Sequence, residues 1–160
     1  MRFYFVRAVI LMIAFLLFAC DGGLAPRDPE AKSFLNGKII FLNKSTPDSI
    51  VAIRAAAFKK IPDSSIINDV LSGNAYFNFE SLPLDKDTVE FSFEVVDAPV
   101  KLHYIAAVMQ YDTSLFSQKV VGVYTETGDK NKYSSLTIER GRTYNIQIEV
   151  DFKNLPPNPF

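Results

Sequence analysis

The stretch TVEFSFEV at 88–95 alternates without a break: Val89, Phe91, Phe93 and Val95 are apolar, and Thr88, Glu90, Ser92 and Glu94 between them are polar. A period of two sends successive side chains to opposite faces of an extended backbone, so this stretch reads as a strand with one dry and one wet face. TYNIQIEVDF at 143–152 repeats the pattern, with Tyr144, Ile146, Ile148, Val150 and Phe152 opposed to Thr143, Asn145, Gln147, Glu149 and Asp151. Helical spacing fits neither stretch. The chain has 14 Phe and 7 Tyr but no Trp, a bias that suits half-buried pleated surfaces.

Weaker strand candidates lie at 38–42, 49–58, 75–79, 102–111, 120–124 and 135–138. LHYIAAVMQY at 102–111 is apolar on both faces, as a central strand covered on each side would be, and it fits a short helix equally well. Turn residues separate the candidates: NKSTPDS at 43–49, LSGN at 71–74, ETGDKNK at 126–132 and ERGR at 139–142. KIPDSSIINDVL at 60–71 is where a short helix fits, with Ser64 or Ser65 near its start. Short strands with turns every 8 to 15 residues and no long amphipathic helix predict an all-β fold, an antiparallel two-sheet β-sandwich of seven or eight strands. The body is expected at 34–153, followed by a Pro-rich tail at 154–160, where Pro156, Pro157 and Pro159 have no amide hydrogen to extend a strand.

The N-terminus has a different grammar. Arg2 and Arg7 precede an unbroken apolar run from Ala8 to Ala19. A basic segment followed by a short greasy one is the layout of a secretory signal peptide helix, and the run is too short for a comfortable membrane-spanning helix. At its end stand Leu17, Phe18, Ala19 and Cys20, which resemble the bacterial lipobox. The resemblance implies that signal peptidase recognises Leu17, Phe18 and Ala19, removes residues 1–19, and leaves Cys20 carrying a diacylglycerol on its sulfur. Phe18 is bulkier than is usual at its position. The plainer reading is an ordinary signal peptide that happens to contain a cysteine. Against it stand the position of Cys20 at the end of the run and the absence of a second cysteine to pair with in an oxidising compartment. DGGLAPRDPEAKS at 21–33 is rich in Gly, Pro and charge, so 20–33 reads as a lipidated cysteine and flexible tether, reaching at most roughly 40 Å.

The order GKIIF, a Pro-Asp turn, VAIRAAAF, VKLHYIAAVMQYD, VVGVYTETGD and LTIERGRTYNIQIEVDF resembles bacterial envelope lipoproteins of uncharacterised role, whose bodies are transthyretin-like or carboxypeptidase-regulatory-like β-sandwiches. The likeness covers roughly 34–152 and implies a non-catalytic spacer or binding platform. It carries over no functional residue beyond Cys20.

Chemistry is sparse. The single histidine, His103, sits in an apolar strand candidate, and the sequence has neither a Gly-x-Ser-x-Gly elbow nor a His-Glu-x-x-His pair. Asp85 with Asp87, and Glu94 with Asp97, are nearby carboxylate pairs of a kind also common on solvated turns. Asp129 and Asn131 offer oxygens that suit calcium, as do Asp85 and Asp87, yet Lys86, Lys130 and Lys132 are interleaved with them. No metal or cofactor is expected. Phe41, Phe58, Tyr76, Phe77, Phe79 and Tyr133 are candidates for an exposed aromatic patch, with core packing as the default. A net charge of −1 excludes a general pull toward nucleic acid.

The expectation is therefore a lipoprotein of the cell envelope, held to a membrane through lipid on Cys20, with a body that binds a protein or glycan ligand or serves as a structural module. The alternative is a small envelope hydrolase using His103 or a carboxylate pair. Asp21 resembles an inner-membrane retention signal of some bacteria, while in others acids there accompany surface export. The outer membrane, on its periplasmic or surface face, is the expected home because most such lipoproteins end there.

Overall fold

The computed structural model describes residues 31–42, 49–63 and 65–159. The expected signal peptide, Cys20, most of the tether and most of the turn at 43–49 lie outside the described residues. Among those described, the chain forms nine strands and one short helix: β1 (Phe34–Phe41), β2 (Ala52–Phe58), α1 (Ile66–Leu71), β3 (Ala75–Phe77), β4 (Thr88–Glu94), β5 (Val100–Leu102), β6 (Tyr104–Gln110), β7 (Gln118–Val123), β8 (Leu136–Ile138) and β9 (Thr143–Val150).

The strands form one sheet in the order β4-β1-β9, a second in the order β3-β2-β6-β7, and a small ladder of β5 with β8. The all-β expectation holds, with more strands than the seven or eight anticipated. One pairing departs from it: β1 and β9 run parallel, Phe34 beside Thr143 through Phe41 beside Val150. The two strands are separated by most of the chain, so no hairpin constrains their direction. An antiparallel bridge between Tyr124 and Ile148 ties the end of β7 to β9 and links the two larger sheets.

The dry faces of β4 and β9 meet those of β2 and β6 as their alternation requires. Val89, Phe91 and Phe93 join Ile146, Ile148 and Val150, together with Leu35 and Ile39 of β1, against Ile53, Ile105 and Met109. Each such side chain taken fully out of water contributes about 1.5–3 kcal/mol. β6 is buried at every position and lies between β2 and β7, so its two apolar faces belong to a central strand and not to a helix. Its second face joins Ala56, Phe58, Val120 and Val123 in a separate cluster with Ile66 of α1. That helix starts where the capping chemistry places it: Ser65 is extended at φ −154°, ψ 123°, and its side chain accepts from the Asn68 amide.

Residues beside both ends of the body pack onto it. Ser33, the expected last residue of the tether, is buried. Its hydroxyl accepts from the Gly141 amide at 2.9 Å and donates to the Glu139 carbonyl at 3.2 Å, and its own carbonyl accepts from the Val95 amide. The tail folds back as well: Leu155 packs against the main core and Pro156 is buried.

Candidate functional site

Three strands with one wet face each, placed side by side, make a polar surface. β1 lies between β4 and β9, and the two registers align their outward residues into rows: Ser92, Asn36 and Asn145 form one, and Glu90, Lys38 and Gln147 the next. These six side chains line an open concavity of about 830 Å3, with Tyr124 and Thr125 at its margin. Beneath them the backbone of Gly37, with Phe91 and Ile146, forms the floor.

The Ser92 hydroxyl donates to Asn36 Oδ1 at 2.7 Å. This fixes the carboxamide and leaves its two N–H groups for another acceptor. Lys38 Nζ stands 3.3 Å from Glu90 Oε1, with both side chains mostly exposed, so the pair neutralises the row and adds little stability. Asn145 and Gln147 are exposed, and among the described residues neither side chain is engaged in a hydrogen bond. Tyr124 is held at its backbone by a hydrogen bond to the Ile105 carbonyl and by the bridge to Ile148. Partial burial, and then the neighbouring Glu126 carboxylate that accepts its hydroxyl, push the Tyr124 phenol up from its ordinary range. The phenol therefore stays neutral, and its side chain packs against the main core beside Ile148.

The residues singled out from sequence are dispersed. His103 is half-buried between β5 and β6, where its backbone amide donates to the Phe58 carbonyl at 2.8 Å. Its imidazole makes no hydrogen bond to a serine or carboxylate among the described residues. Glu94 pairs with Lys32 at 3.1 Å, whereas Asp97 pairs with Lys59 at 2.6 Å and accepts the Tyr76 hydroxyl, so the two acids serve different partners. Asp85 and Asp87 sit on an exposed turn. Asp129 Oδ1 accepts both the backbone and side-chain N–H groups of Asn131, closing a turn on itself. Among the described residues no group of three His, Cys, Asp or Glu converges as metal ligands would.

The six aromatics do not form one patch. Phe41 and Phe58 are core, while Tyr76 and Phe77 are half-buried. Phe79 is exposed and meets Phe77 edge-on, and Tyr133 meets Tyr104 elsewhere.

No protein-family model, curated protein or solved structure matches this chain. The candidate site therefore rests on its own geometry. Its residues were not singled out in sequence because each is an ordinary outward position of a strand. The legible part was the polar half of the alternation in β4 and β9. Asn36 and Lys38 joined it through the parallel pairing of β1 with β9, which no local pattern announces.

Proposed function

We propose that this protein is a lipid-anchored lipoprotein of the bacterial cell envelope, whose non-catalytic β-sandwich body binds a ligand on the outer face of its three-stranded sheet. The anchoring half of this reading rests on Leu17, Phe18, Ala19 and Cys20 at the end of the apolar run. The β-rich body suits the transthyretin-like or carboxypeptidase-regulatory-like kinship inferred from segment order. The observation that carries the binding half is the open concavity of about 830 Å3 lined by two rows of polar side chains, a volume within the usual range of small-ligand sites. The hydrolase reading has less support, since His103 is half-buried and is not among the residues that line the concavity, and no nucleophile or orienting acid bonds to it among the described residues.

Co-sedimentation tests the binding half without interference from the anchor. Full-length protein in detergent is mixed with lipid-extracted envelope fragments of the producing cells and centrifuged. Wild type and His103→Ala are expected in the pellet, and an Asn36→Arg/Gln147→Arg variant in the supernatant. Equal sedimentation of the double variant would remove the face from consideration, and loss of sedimentation in His103→Ala would move the site to that residue.

A further inference from the structure

We infer that the ligand of the three-stranded sheet's outer face is a neutral oligosaccharide chain lying across the strands, an assignment that rests on the binding reading above. The donor and acceptor inventory leads to this class. Asn145 and Gln147 each present a carbonyl oxygen and an NH2 group, and the Asn36 amide, its oxygen held by Ser92, turns its N–H groups to the ligand. A surface that both donates and accepts at neighbouring points matches vicinal hydroxyls, which do the same.

Charge narrows the choice. The one cation among the described lining residues, Lys38, is neutralised by Glu90 at 3.3 Å. A phosphate, a uronate or a nucleic acid backbone would find no net positive field there. An apolar ligand would strip water from the amides and return no hydrogen bonds. An extended peptide gains most of its affinity by pairing with a free strand edge, and β1, the centre of this face, has both edges occupied by β4 and β9.

Tyr124 and Thr125 border the concavity at its margin, and Tyr124, bridged to the buried Ile148 and packed against the main core, fixes that margin to both sheets. The concavity is open, which suits a length of chain passing over it.

The test is isothermal titration of the full-length protein, kept in a polyoxyethylene detergent so that no sugar headgroup competes. The probes are cellohexaose, maltohexaose, xylohexaose, chitohexaose and, as the charged counterpart, hexagalacturonate. At least one neutral hexaose is expected to bind with a Kd below about 1 mM, weakened roughly 3–10-fold by Asn36→Ala, Asn145→Ala or Gln147→Ala. Phe116→Ser, on the exposed β6–β7 connection, is expected to bind as wild type does. Absence of binding by every neutral hexaose, binding indifferent to the three face variants, or tighter binding of hexagalacturonate would each overturn the assignment. If the hexaoses fail while envelope co-sedimentation still depends on Asn36 and Gln147, the ligand class is wrong and the binding face stands. If co-sedimentation ignores those residues, the face itself falls.

Discussion

The ring of Phe91 occupies the space that a side chain on Gly37 would need. The two residues face each other across the β1–β4 pair, and a Cβ built on Gly37 would overlap three atoms of the ring. Phe91 is buried and tilted against Phe93 at 5.4 Å, so it has little room to withdraw. The glycine is thus a packing requirement of the floor beneath Asn36 and Lys38.

Gly37→Ala is expected to lower stability by about 1–3 kcal/mol through overpacking, measured as a shift in urea midpoint. Phe91→Leu combined with Gly37→Ala is expected to recover part of that loss. Equal stability of Gly37→Ala and wild type would contradict the close approach.

Gly122 answers to a similar constraint at the joint between sheets. A Cβ there would stand 2.7 Å from the Glu149 carbonyl oxygen and within 2.9 Å of the Ile148 and Val150 side chains. The first of these is backbone and gives way only if β9 moves. Gly122→Ala should therefore cost about 2–3 kcal/mol, and amide exchange at Tyr124 and Ile148 should quicken as the bridge between them opens. Unchanged protection at both amides would count against this account.

Tyr104 makes the fold sensitive to alkali. It is buried between Phe58 and Tyr133, with ring centroids at 6.0 and 5.0 Å, and burial first, then Tyr133, push its phenol well above the ordinary value. The unfolded chain releases this proton near pH 10 while the folded chain holds it, so its contribution is intact below about pH 10 and is lost as pH climbs from there toward the folded value. Urea midpoints measured from about pH 8 to 11 should fall at the alkaline end, and Tyr104→Phe should flatten that fall. An equally steep decline in the variant would assign the effect to other groups.

Cys20 decides the location in the proposed reading. Each buried methylene of an acyl chain is worth about 0.8 kcal/mol, and two chains hold a protein stably where one is marginal. Intact mass of purified wild type should begin at Cys20 and include a diacylglycerol. Cys20→Ser should either retain residues 1–19 or leave the membrane fraction. Normal processing and membrane partitioning of that variant would end the lipoprotein assignment.

Much of the layout was written locally. The alternations of 88–95 and 143–152 became β4 and β9 with their dry faces inward. The double-sided apolar segment became the central strand β6, and Ser65 capped the short helix. Other features had no local signature. β1 begins at Phe34, four residues before the candidate at 38–42, because Asn36 and Gly37 look like turn residues until β4 and β9 flank them. β5 is three residues long, too short to show a period, whereas the equally short β8 falls inside the candidate at 135–138.

The order of polar and apolar residues by itself determined which side of each long strand is wet, since that depends only on a residue's immediate neighbours along the chain. Which strands stand beside each other, in which direction and in which register, was decided in three dimensions. Gly37 could face Phe91, 54 positions away, and Asn36 and Lys38 could stand beside Asn145 and Gln147, each 109 positions away, only once these distant residues had been brought together by the burial of a shared core. That long-range closure is a property of the packed sandwich, and no single stretch of the chain encodes it.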